Sequence, residues 1–77
     1  MIKYNVEKRA GDIACSLIAE GYFMQWKYKF STEPRIVFRM RHRKNGNLIE
    51  ADVKANITQL WKNGKIIKSE PYPAPGA

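Results

Sequence analysis

Several residue types and segments are scarce in this sequence, and each scarcity excludes a class of protein. A single cysteine, Cys15, cannot form an internal disulfide, and only one histidine, His42, could join it on a metal ion. We therefore expect a reducing compartment and no structural zinc site. The apolar run 13–19 is far shorter than the ~20 residues that span a bilayer. Because the opening MIKYNVEKR is also too polar for a secretory signal, we expect a cytoplasmic chain without membrane partners.

The sequence also lacks a constellation of residues that would indicate catalysis. Cys15 lies among apolar residues, and a Cys–His nucleophilic pair needs a third orienting group that no motif supplies. His42 is expected to be structural. Glu50 and Asp52 lie two apart on a predicted strand, where arginine neighbours would keep both carboxylates ionised and unsuited to acid catalysis. With no glycine-rich phosphate loop present, we predict no enzyme activity, no metal and no cofactor.

The length of 77 residues allows one domain. A chain of this size buries about 60% of the surface that its unfolded form exposes, so its core is thin. With 44% hydrophobic and 27% charged residues, the composition is typical of a folded protein rather than a disordered one. Prolines crowd the segment EPYPAPGA, which predicts a single domain at 1–70 and a flexible tail at 71–77.

Positive charge is concentrated in one part of the chain. The formal net charge is +7, and residues 27–44 alone carry seven basic side chains against one acid, Glu33. Solubility alone would not require such clustering, which indicates an electrostatic footprint for a polyanion. The segment 27–44 is therefore the candidate interaction surface.

The first third of the chain predicts a short strand followed by one helix. Residues 2–7 alternate between apolar and polar side chains, as a strand does. In DIACSLIAE the apolar residues recur at helical spacing, with Asp12 placed to cap the helix and Gly21 placed to end it. Because the segment 12–20 is short and almost wholly apolar, a buried strand stays open as an alternative.

The rest of the chain alternates with the period of β-strands. YFMQWKYKF and RIVFRMRHR each divide their side chains between two faces. Asn45-Gly46 and Asn63-Gly64 predict hairpins, because both central residues of a type I′ turn need positive φ. Residues 49–61 keep one parity, which predicts a long strand that bends or bulges, and KIIK predicts a short edge strand.

Together these elements predict an α+β fold. We expect a twisted antiparallel β-sheet of four to five strands in the order β-α-β-β-β, with a short fifth strand and one short helix packed on the apolar face. A two-residue Asn45-Gly46 turn would place Arg39 opposite Asp52 and Arg41 opposite Glu50.

The hairpin before it allows two registers. One puts Trp26 beside Arg39 and Tyr28 beside Val37; the other puts Trp26 beside Met40 and Tyr28 beside Phe38. Burial favours the second, because it gathers the aromatic residues on the core side under the helix. We accordingly interpret the stripe as core rather than as a base-stacking platform, except for one ring on the basic face. The stripe consists of Tyr22, Trp26, Tyr28 and Phe30, and the exception is Phe23.

In that register the basic side chains share the sheet face turned away from the helix. We predict that this face binds the phosphate backbone of DNA or RNA without catalysis. The alternatives are a regulatory module that docks on an acidic protein surface, and a homodimer formed through an uncovered apolar patch. The predicted nucleic-acid-binding residues are Lys27, Lys29, Arg35, Arg39, Arg41, Arg43 and Lys44. The anion site is expected towards Lys27, Lys29 and Lys44.

Overall fold

One helix and five strands make up the protein in the computed structural model, which describes residues 5–72. The elements are α1 Val6–Ala19, β1 Tyr22–Lys29, β2 Arg35–His42, β3 Leu48–Lys54, β4 Ile57–Lys62 and β5 Lys65–Pro71. The strands form one antiparallel sheet in chain order, β1-β2-β3-β4-β5, and α1 packs on β1, β2 and β3. The predicted α+β class, with one helix on an antiparallel sheet, is confirmed.

Helix α1 begins earlier than the sequence pattern suggested. Asn5 caps it, with its side-chain oxygen accepting a hydrogen bond of 3.0 Å from the amide of Lys8. Val6 and Glu7 lie in the first turn of α1, where Val6 is buried, so the predicted strand at 2–7 is wrong for these two residues. Residues 1–4 lie outside the described range. The predicted order β-α-β-β-β is therefore replaced, over residues 5–72, by a helix followed by five strands.

Two observations explain why a glycine, Gly21, follows the end of the helix. Its φ is +104°, a backbone conformation that residues with a side chain rarely adopt. In addition, a Cβ placed there would lie 2.8 Å from Nε2 of His42. The predicted role of Gly21 is confirmed.

The core lies between α1 and the middle of the sheet. Every second residue of β2 and β3 is buried on this helix side: Ile36, Phe38, Met40, Ile49, Ala51 and Val53. Val6, Ala10 and Tyr22 complete the buried apolar set. The intervening side chains of β2 and β3 point to the opposite surface of the sheet, which we call the outer face. The alternation of apolar and polar residues in the sequence thus assigns the side chains of β2 and β3 to the correct faces of the sheet.

The predicted long strand over 49–61 is wrong. The chain turns at Ala55-Asn56, so that β3 and β4 form a hairpin in which Val53 pairs with Thr58 and Asp52 with Gln59. In β3 the odd-numbered residues face the helix, whereas after this turn the even-numbered residues of β4 do. Thr58 is consequently buried on the helix side, although the pattern had placed odd-numbered residues there.

The second Asn-Gly pair forms the predicted tight turn. Asn63 and Gly64 both have positive φ, of 50° and 84°, and Lys62 pairs with Lys65 across them. Strand β5 is exposed along its length at the edge of the sheet and extends through Pro71, and the amide of Tyr72 donates to the carbonyl of Asn56 at 2.8 Å. The predicted tail therefore overlaps β5 at its start, and its residues 73–77 lie outside the described range.

Candidate nucleic-acid interface

The register between β1 and β2 decides which side chains reach the outer face. Tyr22 and Met24 pair with His42 and Met40, but the pairing shifts between Met24 and Trp26. The shift leaves Gln25 as an extra residue, a β-bulge that changes the face on which the rest of the strand presents its side chains. From the bulge onward β1 follows the register that the burial argument had rejected.

Trp26 therefore pairs with Arg39, and Tyr28 pairs with Val37, on the outer face. The side chains are accessible: Trp26 is 39% exposed and Tyr28 is 57% exposed. The interpretation of the stripe as core is wrong for these two residues and for Phe30, which is half-buried outside the core, and it holds for Tyr22, which is 7% exposed. The physical reason is that β2, β3 and the helix already fill the core. The edge strand β1 therefore contributes only Tyr22, near its start, to the buried core.

One ring of this strand, Tyr28, contacts a further ring just beyond the end of the strand. The rings of Tyr28 and Phe30 meet edge to face, with centroids 4.8 Å apart. Phe23, before the bulge, pairs with Arg41 and so lies on the same outer face. The aromatic surface consists of Phe23, Trp26, Tyr28 and Phe30.

Three arginines lie over three of these rings. The guanidinium carbon of Arg35 is 4.6 Å from the centroid of Phe30, and that of Arg43 is 5.1 Å from Phe23. Arg39 lies 5.8 Å from the ring of Trp26. These distances fall in the range of cation–π attraction, which orients a flat cation beside a flat ring. We call the aromatic surface together with Arg35, Arg39, Arg41 and Arg43 the aromatic–arginine face.

Arg35 is the arginine that an acid holds in place. Its Nε and Nη2 donate to the two carboxylate oxygens of Asp52 at 3.0 and 2.8 Å, and Glu33 lies 3.6 Å from Nη1. The hydrogen bonds with Asp52 raise the pKa of the Arg35 guanidinium above its ordinary value. Asp52 was predicted to face Arg39, so this pairing corrects the sequence-based register.

The difference between the predicted and the observed register arises in the β2–β3 turn. Arg39 pairs with Glu50 and Arg41 with Leu48, two residues away from the predicted partners. The turn is wider than a two-residue loop, because the amide of His42 donates to the carbonyl of Asn47 at 2.9 Å. Gly46 has a positive φ, of 73°, but Asn45 does not. Since the displacement is two residues, no side chain changes face.

His42 explains why the turn is wide. Its Nδ1 accepts from the amide of Lys44 at 3.1 Å, and its Nε2 donates to the carbonyl of Glu20 at 2.9 Å. The ring thereby ties the turn to the end of α1, and it also meets Tyr22 edge to face at 4.8 Å. The predicted structural role of His42 agrees with these contacts.

The other three arginines of the face have no acidic partner among residues 5–72. Arg41 and Arg43 are exposed. Arg39 is half-buried, and its Nε is buried without a hydrogen-bond partner. A buried donor without a partner is costly, so the Nε–H of Arg39 is a hydrogen-bond donor that the described residues leave unused.

The structure places two of the three predicted lysines on the opposite side of the sheet from this face. Lys27 and Lys29 lie on the helix side, opposite Phe38 and Ile36. Lys29 forms an ion pair with Glu7 of α1, and this hydrogen bond lowers the pKa of the Glu7 carboxyl. Lys44 is exposed in the β2–β3 turn. The predicted sharing of one sheet face by Lys27, Lys29 and the arginines of β2 is therefore wrong.

Beyond Arg39, towards β3 and β4, the outer face presents an acid and a tryptophan instead of arginines. Glu50 pairs with Arg39 on one side and with Trp61 on the other, and Trp61 pairs with Ile66. A shallow depression of about 410 Å³ lies here, lined by Val37, Glu50, Asp52, Trp61 and Gly64 among others. Trp61 is not among the predicted site residues, because the predicted long strand places it with the core. The turn at Ala55-Asn56 brings it to the outer face instead.

The chain matches no protein-family model, and comparison with curated proteins and with solved structures finds no match. Within residues 5–72 no helix has the length and apolar character that crossing a membrane requires. No group of three or more metal-ligating side chains occurs in the same range.

Proposed function

We propose that this protein is a non-enzymatic module that binds single-stranded nucleic acid on its aromatic–arginine face. The observation that supports this most is the alternation of exposed rings with arginines across β1 and β2. Trp26 and Tyr28 are exposed, and Arg39 lies beside Trp26. Proteins that bind single strands combine these two elements, rings that stack on bases and cations that follow the backbone.

Stacking explains why large rings are found on a solvated surface. An unpaired base presents two flat apolar faces, and its stacking on an aromatic side chain contributes about 1–3 kcal/mol. Trp26 and Tyr28 lie two residues apart on one strand, on the same face, so successive bases of a strand could occupy them in turn. The bases of a duplex are already stacked on one another, which favours a single strand as the ligand.

The arginines supply the attraction to phosphate. Arg39, Arg41 and Arg43 lack acidic partners among the described residues, and a guanidinium matches the geometry of a phosphate with two parallel hydrogen bonds. Contacts to about three phosphates of a single strand would give a slope of about −2 for the logarithm of affinity against the logarithm of salt concentration.

Fluorescence anisotropy with labelled oligonucleotides tests the proposal. Single-stranded probes of about ten nucleotides, the site size of one small binding fold, should bind the wild-type protein at low salt. Replacement Trp26→Ala should weaken binding about fivefold to a hundredfold through loss of stacking. Lys65→Ala, which removes an exposed cation from β5, is the matched control and should bind like the wild type.

Failure of single-stranded DNA and RNA to bind at low salt would overturn the proposal. An acidic protein surface would then be the partner to examine for the same face, because tryptophan, tyrosine and arginine also dominate protein-binding sites. Tighter binding of duplexes than of single strands would also contradict it, since stacking would then play no part.

A further inference from the structure

We propose that the depression beside Trp61 recognises guanine in the bound strand, with Glu50 as the residue that determines specificity. This inference rests on the proposed function and adds a base preference to it. The depression lies on the outer face, next to the aromatic–arginine face, so one strand could occupy both.

Four side chains form a row across the sheet at this point. The cross-strand pairs connect Trp26 to Arg39, Arg39 to Glu50, and Glu50 to Trp61. Adjacent strands are about 4.8 Å apart, so the two tryptophans lie about 14 Å from each other. The row therefore has a ring at each end, with a cation and an anion between them.

Glu50 is the acceptor that remains available in this row. Both carboxylate oxygens of the neighbouring Asp52 accept hydrogen bonds from Arg35. The carboxylate of Glu50 makes no hydrogen bond or ion pair with any residue in the described part of the chain, although Arg39 is its cross-strand neighbour. A carboxylate opposes the binding of phosphate, so Glu50 is better matched to a ligand group that donates hydrogen bonds.

The donors of a base supply that group. Guanine presents a ring N–H and an exocyclic amino group side by side on its Watson–Crick edge, and these two donors match the two oxygens of a carboxylate. Adenine and cytosine offer one amino donor beside a ring nitrogen whose lone pair repels the carboxylate. Uracil and thymine offer one N–H between two carbonyl oxygens. Guanine is therefore the base that Glu50 would select.

Trp61 provides the surface on which that base would lie. Side chains directly opposite each other on one face have their Cβ atoms about 4.5–5.5 Å apart, so a base stacked on Trp61 has its edge within reach of Glu50. Stacking alone tolerates any base, whereas the hydrogen bonds from the edge of the base distinguish one from another. Arg39, on the other side of Glu50, is placed to bind the adjoining phosphate.

Four oligouridylates that differ at one position test this inference. The probe has about ten nucleotides, with uracil, guanine, adenine or cytosine at its centre. Central guanine should tighten binding about fivefold to a hundredfold relative to uracil, the range expected for one bidentate contact to a base. Glu50→Gln should abolish this difference while binding of the all-uracil probe is retained, because glutamine offers only one acceptor oxygen.

Glu70→Gln is the matched control, since Glu70 is an exposed acid on β5 that lies off the row. This variant should keep the preference for guanine. Equal affinity for all four probes, or an unchanged preference in Glu50→Gln, would overturn the inference and leave the proposed function intact. Failure of every probe to bind would instead contradict the proposed function.

Discussion

Trp26 lies directly opposite Arg39 on the outer face, with the guanidinium carbon of Arg39 5.8 Å from the centre of the indole ring. The pair exists because Gln25 forms a bulge in β1, after which the strand presents its rings to solvent instead of to the helix. Trp26 should therefore contribute to binding far more than it contributes to folding.

Urea denaturation of two alanine variants checks this distinction. Trp26→Ala should lower the free energy of unfolding by about 1 kcal/mol or less, since it removes a half-exposed ring and one cation–π contact. Phe38→Ala should lower it by about 3–5 kcal/mol, because Phe38 is fully buried beneath α1. A comparable loss in both variants would mean that Trp26 belongs to the core.

Removal of the Asp52 carboxylate charge should have opposite effects on folding and on binding. Asp52→Asn weakens the paired hydrogen bonds with Arg35, so stability should fall. It also releases Arg35 for contact with phosphate, so the affinity for a single strand should rise and its salt dependence should steepen by about one phosphate contact. Thermal unfolding and anisotropy titrations of the same preparation measure the two effects. A variant that binds more weakly than the wild type would contradict the placement of Arg35 on the interface.

The ion pair between Glu7 and Lys29 predicts a dependence of stability on pH. Its hydrogen bond lowers the pKa of Glu7 in the folded protein below the ordinary value of 4.5. Stability from this pair is therefore present above the ordinary value and is lost as the pH falls through the lowered one. The free energy of unfolding should fall less steeply in Glu7→Gln than in the wild type when the pH is lowered from 7 to about 3. Parallel pH profiles would show that Lys29 does not hold Glu7 in solution.

Two glycine substitutions should change stability in opposite directions. Gly21→Ala combines a φ of +104° with a Cβ only 2.8 Å from the His42 ring, so it should destabilise the protein. Gly11→Ala lies in the interior of α1 with open space around its Cβ, and should stabilise by about 0.5–1 kcal/mol. Melting temperatures of the two variants provide the comparison, and a stabilising Gly21→Ala would contradict the observed end of α1.

Much of the fold could be predicted from the sequence, but the registers between neighbouring strands could not. The alternation of β2 and β3 assigns Phe38 to the core and Arg39 to the outer face, because each strand is regular and fully paired. The bulge at Gln25 is different, since it depends on how much core volume is left for an edge strand, and no local pattern reports that volume. For the same reason the rejected register, with Trp26 beside Arg39, is the one observed.

The turns show a similar limit. Asn63-Gly64 forms the tight turn that its residues favour, whereas Asn45-Gly46 does not, because the ring of His42 binds the end of α1 and the amide of Lys44. Ala55-Asn56 contains no glycine, and its turn was not predictable from residue preference. Trp61 reached the outer face through that turn. The candidate site was therefore predicted in its arginines but not in its tryptophans.

Chemical-shift mapping by NMR tests the central claim most directly. On addition of a single-stranded oligouridylate, the indole N–H of Trp26 and the Nε–H of Arg39 should shift, together with amides of β1 and β2. The amides of α1 and the side chains of Lys27 and Lys29, on the helix side of the sheet, should stay unchanged. Shifts confined to the helix side, or no shift at Trp26 and Arg39 under conditions of saturation, would contradict binding on the aromatic–arginine face.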